Sequence, residues 1–124
     1  MSTTTHLDTG RLGEDIAAEY LAKKGYRIAA RNFRAGKGEI DLIAWTAEGD
    51  QLVFVEVKTR SGDGYGGPEE AVNKRKQRVM VRTAGEYMES IHYEWEIRFD
   101  IIAVILQNGR LLTIRHLEDA FFPR

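Results

Sequence analysis

The chain has 124 residues, 43% of them hydrophobic and 30% charged, with 18 lysines and arginines against 19 aspartates and glutamates and a net charge of -1. That length suits one domain that buries a core without staples, and the balanced charge means that a polyanionic partner must be argued from local charge placement. The absence of cysteine excludes disulfides, zinc–thiolate sites and thiol nucleophiles.

No apolar run reaches the roughly 18 residues of a membrane span. The opening stretch MSTTTH lacks the basic-then-apolar order of a secretory signal. A cytoplasmic protein with no membrane partner is the expectation, with residues 1–8 as a disordered tail ahead of a single domain over 9–124.

The spacing predicts a first helix from about Thr9 to Lys24, capped by Asp8 or Thr9, with Leu12, Ile16, Tyr20 and Leu21 on one stripe. Gly25 follows Lys23 and Lys24, a pattern that suits a helix C-terminus. Strands are expected over Tyr26 to Phe33, Glu39 to Thr46 and Gln51 to Thr59, separated by turns at Ala35–Gly38 and Ala47–Asp50. A glycine-rich loop spans Arg60 to Gly67, and Pro68-Glu69-Glu70 opens a second helix reaching Met88. Trp95 to Leu106 reads as a long strand, with Trp45, Phe54, Trp95 and Phe99 as core. Asn108-Gly109 makes a type I′ hairpin turn into a last strand over Leu111 to Leu117. The fold class is α/β in the order αβββαββ: a mixed sheet of five strands with an antiparallel meander, flanked by helices on both faces.

Charge is concentrated at one place in this pattern. An even loop centred on Glu48-Gly49 sets Trp45 opposite Leu52, Ile43 opposite Phe54, Asp41 opposite Glu56 and Glu39 opposite Lys58. With period two, those four charged residues share one face, and Ile40, Leu42, Ala44, Val53, Val55 and Val57 share the other. Opposed side chains have Cβ atoms about 4.5–5.5 Å apart, and like charges so placed repel. Three carboxylates against Lys58 alone leave an excess that a hard dication offsets. Mg²⁺ takes oxygen ligands at about 2.0–2.1 Å and keeps several waters, so Asp41, Glu56, the Val57 carbonyl and waters compose a plausible shell. The competing account is an ion-pair network in which Arg31, Arg34 or Arg60 neutralises the acids.

Asp41 followed by Glu56-Val57-Lys58 resembles the PD-(D/E)XK signature of metal-dependent nucleases. The longer words Gly38-Glu39-Ile40-Asp41-Leu42-Ile43-Ala44 and Phe54-Val55-Glu56-Val57-Lys58-Thr59-Arg60 resemble the YraN-like family of small bacterial proteins, regarded as predicted endonucleases distantly similar to archaeal Holliday-junction resolvases. Arg11-Leu12-Gly13-Glu14 and Arg98-Phe99-Asp100 extend the likeness over most of the chain. Ile40 stands where the nuclease signature usually has proline.

The resemblance implies a restriction-endonuclease-like fold and phosphodiester hydrolysis in DNA, branched or damaged, without a covalent intermediate. Asp41 and Glu56 would bind Mg²⁺, or Mn²⁺ in its place, and Lys58 would orient the attacking water and offset charge on the phosphate. Glu14 matches a helix-borne acid that can complete such a site, and Glu39 is an acid particular to this family's wording. A resolvase makes two cuts, which by analogy implies a homodimer.

Lys74, Gln77, Arg78 and Arg82 fall on one stripe of the second helix. With Arg60, they are the candidates for phosphate contact, and Tyr65 is a candidate for stacking on a base. The bland account of the stripe is a solvated face balanced by Glu69, Glu70 and Glu86. Gly62–Gly67 fits neither the Rossmann nor the P-loop spacing. His6, His92 and His116 are scattered, and Asp100 beside Arg98 reads as a structural ion pair. Two non-catalytic accounts stay open: a nucleic-acid-binding module that keeps the fold, and a partner-interaction protein.

Overall fold

The computed structural model describes residues 6–61 and 72–121, with side chains described from residue 9. Its elements are α1 (His6–Lys23), β1 (Arg27–Ala35), β2 (Gly38–Trp45), β3 (Leu52–Ser61), α2 (Lys74–Ser90), β4 (Ile97–Gln107) and β5 (Arg110–Leu117). This is the expected order, αβββαββ, around one mixed sheet. Among the described residues no helix is long and apolar enough to cross a membrane.

Two helix starts differ from the expectation. α1 opens at His6, ahead of the cap expected at Asp8 or Thr9. α2 opens at Lys74 rather than Pro68, because Asn73 is extended and its side chain accepts the Lys76 N–H at 2.9 Å, the bond that defines a favoured N-cap. Pro68 to Glu70 and the glycine-rich loop beyond Ser61, Tyr65 included, lie outside the described residues.

The strands lie side by side in chain order. β1–β2, β2–β3 and β4–β5 pair antiparallel, while β3–β4 pair parallel with α2 in the connection. On one face Ala17 and Leu21 of α1 pack against Leu42, Val53, Val55, Val57, Ile102 and Val104. On the other, Met80 and Ala84 of α2 pack against Ile40, Ile43, Phe54, Phe99 and Ile101. Coverage on both faces is why Leu52–Val55 of β3 and Ile101–Leu106 of β4 read as unbroken apolar runs. Phe54 stacks on Phe99 at 5.5 Å between centroids, and Phe99 on Phe121 at 5.1 Å. Trp95, expected in the core, is 67% exposed. It precedes β4, which begins at Ile97, and its ring meets Tyr93 edge-on at 5.4 Å. Asn108 and Gly109 take φ values of 53° and 74°, as a type I′ turn demands.

The hairpin register holds near its turn, with Trp45 paired to Leu52 and Ile43 to Phe54. Further along, the expected alternation of faces breaks. Leu42 lies in the α1 layer but Ile40 lies in the α2 layer, although they are two residues apart. The partner strand makes the same switch: Arg31 reaches Asp15 of α1 at 2.6 Å, whereas Phe33 packs on Tyr87 of α2 at 5.1 Å. Between them Asn32, flanked by the pairs Arg31–Leu42 and Phe33–Ile40, has a φ of 52°. Asparagine tolerates that left-handed conformation better than most residues. The switch sits opposite Asp41.

A buried polar cluster fastens the α1 side of β4. Asp100 accepts bonds from Arg98 Nε and Nη2, each at 2.8 Å, from His116 Nε2 at 2.7 Å and from the Asp119 N–H at 3.0 Å. Burial alone would push its carboxyl up, but the bonds from His116, Arg98 and Asp119 outweigh it and hold the pKa below the ordinary value. The pairing with Arg98 is structural, as expected, and His116 belongs to it.

Two measurements check this packing. Asp100→Ala leaves Arg98 without its buried partner and is expected to cost about 3–5 kcal/mol in urea unfolding. At Gly13 of α1, an added Cβ would collide with the Thr59 side chain of β3, so Gly13→Ala is expected to lose about 1–3 kcal/mol by overpacking, despite alanine's better helix propensity.

Candidate functional site

The ladder between β2 and β3 ends at Leu42–Val55. Beyond it β2 continues pairing with β1 through Ile40, Glu39 and Gly38, and β3 with β4 from Glu56 to Ser61. The two central strands therefore part, and the expected cross-strand pairs Asp41–Glu56 and Glu39–Lys58 do not form as ladder pairs. A buried N–H still needs an acceptor, and the Asp41 carboxylate takes the Val57 N–H through Oδ2 at 2.7 Å. Because both polar groups of a strand residue project to one edge, the Val57 carbonyl faces the same gap.

Asp41 is an uncomfortable anion. Its pKa is pushed up from 3.8 to about 7, first by burial and next by the negative charge of Glu56; the Val57 N–H opposes the rise, and Glu14 and Glu39 add to it. Glu14 is raised too, chiefly by burial, with Arg31 opposing and Glu39, Asp15 and Glu56 adding. The acids thus converge electrostatically from α1, β2 and β3, though not as a single face of a hairpin.

Glu56 has a different environment. Its Oε2 lies 3.4 Å from Lys58 Nζ and 3.3 Å from Lys76 Nζ, so two ammonium groups act where the sequence offered only Lys58. The competing account holds in part: of its three arginines Arg34 neutralises one of the acids, Glu39, while Arg31 and Arg60 have other partners. Arg31 pairs with Asp15 at 2.6 Å, Arg34 with Glu39 at 3.3 Å, and Arg60 donates to the Thr59 carbonyl at 2.9 Å. Among the described residues, Asp41 has no cationic partner within ion-pair distance.

These residues line a cleft of about 440 Å³ in which Glu39, Asp41 and Glu56 meet Lys37, Arg75 and Lys76. Gly38 lets α2 come this close, since a Cβ there would strike the Thr83 side chain. Among the described residues no group of three or more histidines, aspartates or glutamates is placed to hold a metal ion. Glu14 is instead bonded by Asn32 Nδ2 at 3.1 Å and Glu39 is paired to Arg34, so neither completes a shell. What remains is a set of hard oxygens, namely the Asp41 and Glu56 carboxylates and the Val57 carbonyl. That set fits Mg²⁺ or Mn²⁺, which bind through one or two carboxylates and otherwise hold water.

A family model described as uncharacterised protein family UPF0102 matches residues 13–104. The chain belongs to this family. It is the YraN-like family that the sequence words resemble. A UPF0102 protein of Rhodococcus jostii is 49% identical over 117 residues, covering 94% of this chain and 98% of its own. Another, from Bacteroides thetaiotaomicron, is 44% identical and covers 95% of each chain. Among solved structures, Pyrococcus furiosus SfsA in complex with Ca²⁺ aligns with a TM-score of 0.32 and 14% identity, over 89% of this chain and 62% of that chain. That likeness is too distant to carry an argument.

The candidates for phosphate contact separate in this UPF0102 chain. Lys74, Arg78 and Arg82 are exposed along α2 at four-residue spacing. Gln77 turns back to donate to the Val72 carbonyl at 3.2 Å. Arg75 and Lys76, rather than Lys74, line the cleft with the acids. Sequence reasoning passed over Lys76, and the signal that finds it is Asn73: an N-cap there places Lys76 in the first turn, where a side chain can reach back toward β3.

The Asp41 shift predicts a pH effect. An acid whose pKa is raised on folding keeps its proton in the native state where the unfolded chain has lost it, so stability falls as pH rises from 3.8 to about 7. Asp41→Asn keeps an acceptor for the Val57 N–H and removes that loss. Thermal unfolding should give equal stability near the acid end of this window and a more stable variant above it, in metal-free buffer.

Proposed function

We propose that this UPF0102 protein is a metal-dependent endonuclease hydrolysing phosphodiester bonds in DNA, with branched or damaged DNA as the resolvase-like substrates. One observation carries the reading: Asp41, half-buried and without a cationic partner among the described residues, lies near Glu56 where β2 and β3 part, and Glu56 is held by two lysines. The Val57 amide accounts for Asp41, but the fold gains nothing from setting Glu56 beside it at an open cleft, since like charges so placed cost stability. Phosphodiester chemistry does gain from it.

Asp41, Glu56 and the Val57 carbonyl would hold Mg²⁺ or Mn²⁺, which supplies Lewis acidity and a water of lowered pKa. The chain's own residues account for the rest. The Val57 N–H fixes one Asp41 oxygen. Lys58, 3.4 Å from the Glu56 carboxylate, would orient a water and offset charge growing on the phosphate. Exposed Lys74, Arg78 and Arg82 on α2 supply the salt-sensitive attraction to the backbone. Two cuts on a branched substrate would call for a second copy of the site, and hence a homodimer.

A second reading is favoured by one observation. Glu56 is already neutralised by Lys58 and Lys76, and among the described residues no third acid is placed to share a metal ion with Asp41 and Glu56, an arrangement that also suits a binder of nucleic acid that does not cut. Calorimetric titration with Mn²⁺ on wild type and Glu56→Ala, together with cleavage of duplex, single-stranded and four-way DNA, separates the two. Under the nuclease reading wild type binds the ion and nicks DNA, and Glu56→Ala loses both. Equal ion affinity in the two proteins would remove the site; tight DNA binding without cleavage in either metal would establish the binder.

A further inference from the structure

Lys76 is unexplained by the reading above. Its ammonium lies 3.3 Å from Glu56 Oε2, the same oxygen that Lys58 holds at 3.4 Å. One carboxylate does not need two ammonium groups on one oxygen, and the two differ in setting. The Lys58 side chain is 20% exposed and the Lys76 side chain 43%. Lys58 rises from the middle of β3, whereas Lys76 comes from the first turn of α2, its backbone N–H fixed by the Asn73 side chain. A fixed anchor with a flexible, half-exposed four-carbon stem lets the charge move while the helix stays still. Arg75 and Lys37 line the same cleft, so an anion entering it arrives among cations of which Lys76 is the one in contact with an acid of the site.

We propose that Lys76 is a positioning residue that exchanges partners, holding Glu56 in the free protein and moving to a backbone phosphate when nucleic acid enters the cleft. The inference rests on the reading of Asp41 and Glu56 as a cation site and adds a regulation of it. While Lys76 sits on Glu56 it competes with a dication for the same oxygen. Once a phosphate draws Lys76 away, Glu56 is less compensated and binds the dication more tightly. By linkage, substrate and metal then strengthen each other's binding by the same factor, so the site is loaded when a substrate is present. The exchange breaks no covalent bond and moves no proton.

The test uses the full chain and Lys76→Met, which keeps the length of the stem and removes the charge at a half-exposed position. Mn²⁺ affinity is read by calorimetry alone and with a saturating phosphorothioate duplex that resists cleavage. Without DNA the methionine variant is expected to bind Mn²⁺ about two- to fivefold more tightly than wild type, the range a partly exposed ion pair supplies. With the duplex, wild type should gain that factor and the variant should not. In EDTA, the slope of log K against log salt for duplex binding should be shallower by about one charge in the variant, and Lys76→Arg should restore it. Equal or weaker Mn²⁺ binding by Lys76→Met, or an unchanged salt slope, overturns the exchange while leaving the cation site intact. Absence of Mn²⁺ binding in wild type overturns the cation site itself, and the exchange with it.

Discussion

Past Leu42 and Val55, β2 and β3 stop exchanging backbone hydrogen bonds, and the Val57 N–H is satisfied by a carboxylate instead of a carbonyl. A β-sheet rarely gives up a ladder in its interior, because each unpaired buried amide costs about 1–3 kcal/mol. Here the cost is met by Asp41, and the means of meeting it creates the chemistry. A carboxylate that must sit in the gap to serve an amide is held there, half-buried and near Glu56, whether or not anything else binds.

The scaffold makes that placement stable. Cores on both faces of the sheet, Leu42 and Val55 toward α1 and Ile43 and Phe54 toward α2, clamp the last paired residues before the strands separate. Asn32 contributes from the far side of β2. Its left-handed backbone lets both strands change sides at one level, so the side chain opposite, Asp41, belongs to neither apolar layer. α2 then delivers Lys76 from its first turn, and α1 comes close enough through Gly13 to bring Glu14 within electrostatic range.

Much of this was legible in the sequence, for physical reasons. Alternating apolar residues and the Glu48-Gly49 turn fixed where β2 meets β3, and Asn108-Gly109 fixed the last hairpin, because local backbone preferences decide both. The residues Asp41, Glu56 and Lys58 were legible as charges on strands that otherwise bury. The illegible parts are those that period-two reasoning cannot carry. A single positive φ at Asn32 leaves no periodic trace, so period two alone puts Ile40 with Leu42. Lys76 and Glu56 are brought together by a crossover, which no spacing encodes. Trp95 is hydrophobic but precedes its strand, and hydrophobicity alone does not say where a strand begins. The Asp100–His116 bond joins two strands through a side chain, and neither residue's neighbours announce it.

The bond from Val57 to Asp41 has one more implication. An amide donating to a carboxylate oxygen feels that group's charge far more directly than an amide in an ordinary ladder does, since charge-assisted bonds are shorter and stronger than neutral ones. Its proton resonance would therefore move as Asp41 ionises, as a cation lands on the free oxygen, or as a neighbouring charge departs. The protein carries a native spectroscopic reporter bonded to an acid of its cleft, readable by nitrogen-15 labelling without any added probe.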